Sequence, residues 1–253
     1  MIFFASDFHF GSPNYELSRK REKDVCSWLD SIKDRASEIY FLGDTFDFWF
    51  EYNSVVPKGC IRFFGKLAEL SDRGIKLHMC VGNHDLWLNN YLKEELGVHI
   101  FREPKTFSIG NFRYHVHHGD GLGPGDRKYK FLKKIFINKG AQWFFKWLHP
   151  DIGFSLASYF SRKSRASEKP EERAFKGYDK EFLIGYCEEI LQKSDIDYFI
   201  FGHRHLALDI ELSNKKSRYI NLGEWFKGRR YLEVDESGVR VMEYTSGVHR
   251  VIE

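Results

Sequence analysis

Cysteine is scarce in this chain: four residues among 253, at positions 26, 60, 80 and 187, and never as a CxxC pair. Such scatter argues against a disulfide framework and against a cysteine-held structural zinc, and it fits a reducing cytoplasm. The start, Met1-Ile2-Phe3-Phe4-Ala5-Ser6, lacks a basic leader, an extended apolar region and a cleavage site, so the sequence predicts no secretory signal. Long apolar runs are also missing. None approaches the roughly 20 residues that cross a bilayer, which predicts no transmembrane helix but leaves contact with a membrane surface open. Internal repeats and low-complexity tracts are absent as well. Acid is nearly absent from residues 127–165, where ten Lys or Arg stand against Asp151 alone, a local balance of +9 in a chain of formal net charge +3.

What is present is a chain that is 42% hydrophobic, enough for one large domain with a substantial core. Ile2–Ala5, Ile39–Leu42 and Leu77–Val81 read as strands buried on both faces. Residues 19–35 and 60–73 between them carry helical spacing. Strand, helix, strand, helix, strand predicts parallel strands with right-handed crossovers, and gathers the loops after the strands on one edge. The later segments Phe112–His118, Tyr198–Phe201, Ala207–Leu212, Tyr219–Leu222, Arg230–Val234 and Val239–Tyr244 predict a second, mixed or antiparallel sheet, with a helix over 172–193. Two packed sheets with helices outside give an α/β fold, a four-layer α/β/β/α sandwich. Residues 122–165 interrupt it and read as an inserted helical cap, broken near Gly140 and His149-Pro150, leaving 1–121 and 166–253 as the core.

Five short clusters punctuate the chain: Asp7-Phe8-His9, Gly43-Asp44-Thr45-Phe46-Asp47, Gly82-Asn83-His84-Asp85, His117-His118-Gly119-Asp120 and Gly202-His203-Arg204-His205. Carboxylates and imidazoles are ligands for Mn²⁺, Fe or Zn²⁺. Asp7 and His9, two apart at a strand end, point to one side and can share a metal. Asp44, after a buried strand and the turn-permitting Gly43, is placed to bridge two cations, with Asp47 supporting its loop. Asn83 adds a neutral oxygen ligand. His84 is placed to touch phosphate or protonate a leaving oxygen, and Asp85 to orient its ring. His118, His203 and His205 complete the set, while His117 faces away.

This ordered set, D-x-H, GD-x-x-D, GNHD, H and GH-x-H, resembles the calcineurin-like metallophosphoesterase superfamily. The resemblance implies one ion held by Asp7, His9, Asp44 and His205 and a second by Asp44, Asn83, His118 and His203. It also implies attack of activated water on phosphorus with inversion, with His84 and Asp85 as catalytic residues. Two divalent ions are the implied cofactors, manganese first, with iron or zinc also suited to the donors.

Within the superfamily, the FxSDFHFG start, the GDTFDFW loop, HHGDGL, the basic helical insertion, the final GHRH and Asn221-Leu222-Gly223-Glu224-Trp225 look like the UDP-2,3-diacylglucosamine pyrophosphohydrolases of lipid A biosynthesis. That likeness implies a UDP-linked diacylated glucosamine substrate and a peripheral place on the cytoplasmic face of the bacterial inner membrane. It also suggests substrate contacts from Arg162, Lys163, Arg165 and Lys169. Phe131, Phe136, Trp143, Phe144, Trp147, Phe154 and Phe160 are candidates for the walls of an acyl cavity. One position departs: many members of that family carry Arg where this chain has His84. Alternatives are a hydrolase of another phosphodiester or phosphomonoester, a nuclease using the +9 segment, and a catalytically lapsed scaffold. The dense Phe and Trp content favours lipid over nucleic acid, and intact ligands at every position argue against the scaffold.

Overall fold

The computed structural model describes residues 1–123, 127–167, 174–245 and 247–252, with side chains except those of 127–128 and 162–167. The first half alternates as expected: β1 (Ile2–Ala5), α1 (Tyr15–Ile32), β2 (Glu38–Leu42), α2 (Ile61–Asp72), β3 (Lys76–Cys80), α3 (Tyr91–Leu96) and β4 (His99–Phe101). Then come β5 (Lys105–Ile109), β6 (Phe112–Val116), α4 (Arg127–Phe136), α5 (Lys139–Lys146) and α6 (Pro150–Ser167). The chain closes with α7 (Phe182–Leu191), β7 (Tyr198–Phe201), β8 (Ala207–Glu211), β9 (Arg218–Leu222), β10 (Arg230–Asp235), β11 (Gly238–Thr245) and β12 (Val248–Val251).

One sheet runs β12-β11-β10-β1-β2-β3-β4 and the other β5-β6-β7-β9-β8. Strands β1 to β4 are mutually parallel, as are β6, β7 and β9, while β5, β8 and the β10 to β12 meander are antiparallel to their neighbours. The alternation of side chains along each strand decides the layers. Phe4, Leu42 and Cys80 of the first sheet meet Tyr114, Val116, Ile200 and Ile220 of the second. Phe3, Phe41 and Met79 face the opposite way, against Trp28 of α1 and Leu67 of α2. Outside the second sheet, Phe199 and Tyr219 pack on Leu183, Ile184 and Cys187 of α7. The four-layer sandwich is thus the observed architecture.

One expectation needs correction: Arg230–Val234 and Val239–Tyr244, expected in the second sheet, belong to the first, where β10 pairs antiparallel with β1, and β11 with β10. Of the helix expected over 172–193, the described residues, from 174 on, form a 3-10 turn at Tyr178–Lys180 and then α7, with Gly177 at φ 100° ahead of them. The break expected near Gly140 is present at Ile137-Asn138, where the Asn138 side chain accepts hydrogen bonds from the Gly140 and Ala141 N–H groups and starts α5. Strands β4, β5 and β12 were not anticipated; they are short sheet-edge or near-edge pieces without a continuous apolar run.

Helices α4 to α6 are pinned to the sandwich by aromatic contacts. The Trp87 ring lies 4.7 Å from that of Phe145 and 5.9 Å from that of Phe136, and Phe48 lies 5.5 Å from Phe154. No helix among the described residues is long and apolar enough to cross a membrane.

Candidate metal centre

Each cluster follows the carboxyl end of a parallel strand: Asp7 after β1, Asp44 after β2, Asn83 after β3, His118 after β6 and His203 after β7. The loops continue to pair beyond the strands. Asp7 N–H donates to Gly43 O at 3.1 Å, His9 N–H to Asp44 O at 2.8 Å and Gly202 N–H to His118 O at 2.9 Å. Both sheets therefore deliver their loops to one pocket.

Two groups of donors meet there and share one carboxylate. In the first, His9 Nε2 is 3.0 Å from His205 Nε2, 3.8 Å from Asp7 Oδ1 and 3.7 Å from Asp44 Oδ2. Asp7 Oδ1 lies 3.2 Å from His205 Nε2. In the second, Asn83 Oδ1 is 2.8 Å from His203 Nδ1 and 3.2 Å from His118 Nε2, and His118 Nε2 is 3.3 Å from Asp44 Oδ2. Asp44 Oδ2 faces both groups, while its Oδ1 accepts from the His84 backbone N–H at 2.9 Å. Asp7, His9, Asp44 and His118 are all but fully buried.

Two buried carboxylates and closely opposed imidazole nitrogens converging at such depth favour a cation between them. The His118 imidazolium shows the pull. Burial pushes it down, but Asp44, with Asp7 and Asp120, lifts it overall to about 10. Its Nδ1 is committed to Leu42 O at 2.8 Å, which aims Nε2 at the pocket. Oxygen and imidazole donors in this number fit a divalent transition metal.

The backbone is strained to make this possible. Asp7, His9, Asp44, His203 and His205 all have positive φ, between 45° and 69°, a region that non-glycine residues rarely adopt. Glycine supplies the remaining room: a Cβ on Gly43 would stand 2.5 Å from His118 Nδ1, and Cβ atoms on Gly82 and Gly202 would collide with the carboxylates of Asp44 and Asp7.

Asp85 does not orient His84. Its Oδ1 accepts from Gly82 N–H at 2.7 Å and its Oδ2 from Thr45 N–H at 2.9 Å and Phe46 N–H at 3.4 Å, so it ties the second and third loops together. Burial, and after it the Asp44 carboxylate, lift its pKa to about 7. The His84 ring belongs instead to Asp47: Nδ1 is 3.0 Å from the Asp47 carbonyl and 3.9 Å from Oδ1, with Ser161 Oγ at 3.4 Å. His117 faces away from the donors, with Nε2 on Arg102 O at 2.9 Å and Nδ1 accepting from Gly119 N–H at 3.0 Å.

Two side chains have positioning roles that the sequence reading did not assign, although Asn221 stood in a quoted motif. Arg21 donates to Phe8 O at 2.5 Å, His9 O at 2.7 Å and Ser12 O at 2.5 Å, and its guanidinium lies 4.1 Å from the centre of the Phe226 ring. The signal was there: Arg21 lies on the buried stripe of α1 with Val25, Trp28 and Ile32. Asn221 donates to Gly202 O at 2.5 Å, steadying the loop that carries His203 and His205.

The side chains of Arg162, Lys163 and Arg165, and the whole of Lys169, lie outside the described residues. Of the aromatics expected to wall an acyl cavity, Phe131, Trp143, Phe144, Trp147 and Phe160 are each more than half exposed. Phe154 does line a cavity of about 880 Å³ between α1, α6 and residues 46–61, which reaches Asp47 at the edge of the metal centre.

Residues 1–207 match the calcineurin-like phosphoesterase family. The chain belongs to that family and is a metal-dependent hydrolase. It is 36% identical over 242 residues to a UDP-2,3-diacylglucosamine hydrolase of Porphyromonas gingivalis, covering 91% of this chain and 92% of that protein. A protein of the same name from Histophilus somni is 23% identical over 239 residues, covering 93% and 97% of the two chains. The solved phosphoesterase Yfce of E. coli aligns with a TM-score of 0.47 at 14% identity, over 100% of this chain and 96% of that one.

Proposed function

We propose that this protein hydrolyses the pyrophosphate bond of UDP-2,3-diacylglucosamine, releasing UMP and 2,3-diacylglucosamine 1-phosphate for lipid A biosynthesis. The observation that carries the reading is the pair of donor groups sharing Asp44 Oδ2, in a chain 36% identical to a hydrolase named for that substrate. Asp7, His9, Asp44 and His205 would hold one divalent ion and Asp44, Asn83, His118 and His203 a second. Manganese is the expected ion, and the same donors accept iron or zinc. Bound ions supply an acidified water and neutralise charge on the phosphoryl oxygens.

The protein's own part is to fix that geometry. Arg21, Asn221 and Asp85 hold the loops, and His84, with Nδ1 on the Asp47 carbonyl, offers Nε2 to a phosphoryl or leaving oxygen. Residues 122–165 act as a cap whose exposed aromatics and lysines, with Arg162, Lys163, Arg165 and Lys169, serve the lipid-linked substrate and hold the enzyme peripherally on the cytoplasmic face of the inner membrane. Each surface cation adds about 1 kcal/mol of attraction to an anionic leaflet.

The test is UMP release, followed by mass spectrometry, from UDP-2,3-diacylglucosamine in detergent with manganese-loaded protein. Asp44→Ala should abolish release and lower bound metal together. Turnover of a generic phosphodiester without UMP release would keep the hydrolase and remove this substrate.

A further inference from the structure

Two different devices hold the donor loops. Asp85, through Gly82, Thr45 and Phe46, ties together the loops that carry Asp44 and Asn83. The loop that carries Asp7 and His9 is also gripped by the segment that follows β9. Gly223, at φ 76°, turns the chain there in a tight space: a Cβ on it would stand 3.2 Å from that of Ala207. Glu224 fixes the turn, its Oε2 accepting from Phe226 N–H and Lys227 N–H. Trp225 and Phe226 are thereby set against the first loop.

Trp225 N–H donates to Asp7 O at 3.3 Å, and its buried ring stands edge to face with that of Phe8, centres 5.1 Å apart. Phe226 is half-buried, with its ring centre 4.1 Å from the Arg21 guanidinium and 5.7 Å from the His9 ring. Arg21 is the residue whose three donations, to Phe8 O, His9 O and Ser12 O, shape this loop. A guanidinium over an aromatic face is held by the ring quadrupole, most strongly where water is excluded, and Arg21 is buried. The loop needs such restraint. Asp7 and His9 sit at φ 58° and 45°, conformations that persist only where the surroundings over-determine them.

We propose that Phe226, with Trp225 beside it, is a positioning residue for one ion of the pair. By holding Arg21 it keeps Asp7 and His9 in their left-handed backbone, and so it governs the ion held by Asp7, His9, Asp44 and His205 without governing the other. The inference rests on the two ions proposed above but not on the substrate, because metal binding is measured without one. Unequal support makes the two ions unequal: the first is lost when the segment after β9 is loosened, the second when Asn83 is removed.

Titration of the metal-stripped protein with manganese chloride tests it, by calorimetry, with bound metal counted after gel filtration. Phe226→Leu keeps an apolar side chain and removes the aromatic face. The expected result is a loss of about 10- to 100-fold in affinity for one ion with the other unchanged, the usual effect of removing a partner that orients a metal ligand. Phe226→Tyr, which restores the face, should bind both ions as wild type does. In an Asn83→Ala background, where the first ion is the one retained, adding Phe226→Leu should remove that ion too. Equal weakening of both ions in Phe226→Leu, or of neither, overturns the proposal, as does a Phe226→Tyr variant that behaves like Phe226→Leu. If wild type takes up one ion only, the two-ion reading falls, and the affinity of Phe226→Leu for that ion decides the clamp by itself: a tenfold loss keeps it and no change overturns it.

Discussion

His84 Nδ1 stands 3.0 Å from the carbonyl oxygen of Asp47, so the ring is fixed by backbone from the second motif and not by its sequence neighbour Asp85. That nitrogen donates, which leaves Nε2 as the atom for substrate. Replacing His84 by Ala removes the ring but none of the metal donors. Turnover should fall by about 10²- to 10⁴-fold, the usual worth of a positioned acid or base, with bound metal unchanged. Parallel kcat and metal analysis on the purified variant checks this; unaltered kcat would remove His84 from the chemistry.

Gly82 lies against Asp44, with no space for a side chain: a Cβ there would stand 2.5 Å from the Asp44 backbone nitrogen and closer still to its carboxylate. Its φ is not in the left-handed region, so the demand is for space alone. Gly82→Ala should displace the shared carboxylate, lowering bound metal below the wild-type ratio and turnover by at least tenfold. Full metal occupancy in this variant would show that the loop can give way.

Asp85 accepts three backbone N–H groups from two loops and is wholly buried. Asp85→Ala leaves those donors without partners, at a cost of about 3 kcal/mol or more. Denaturant unfolding should register that loss, and the pH profile of residual activity should keep its shape. A changed profile with unchanged stability would restore Asp85 to the role of orienting His84.

Much of this was legible because buried parallel strands are continuous apolar runs, and the residue where each run stops is where a loop meets the site. Asp7, Asp44, Asn83, His118 and His203 could be placed in one pocket on that ground alone. The left-handed backbone at Asp7, His9, Asp44, His203 and His205 was hidden, since nothing in Asp or His announces φ above zero; only the assembled fold holds such residues there. Asp85 was misread because sequence adjacency to His84 suggested contact, whereas the turn sends the two side chains to different loops. Arg21 and Glu22 were overlooked as ordinary helix charges. Both lie on the buried face of α1, where Arg21 holds the first loop and Glu22 accepts from Arg62 N–H and Phe63 N–H at the start of α2, whose own N-cap residue offers no side-chain bond.

The cap's lysines also divide into kinds that sequence treats alike. Lys133 Nζ lies 2.6 Å from Asp120 Oδ2, beside the Tyr129 hydroxyl at 2.5 Å, and together they fasten α4 to the fourth motif. Asp120 is buried, and His118 and Lys133 hold its pKa near 2 against that burial. Lys134 is exposed on the same helix. Lys133→Met should therefore destabilise the protein by about 2 kcal/mol, a figure below that for a fully buried pair because the lysine keeps contact with water. Lys134→Met should stay within about 0.5 kcal/mol of wild type. Thermal unfolding of the two variants side by side decides the matter, and equal midpoints would mean that the ion pair does not anchor the cap.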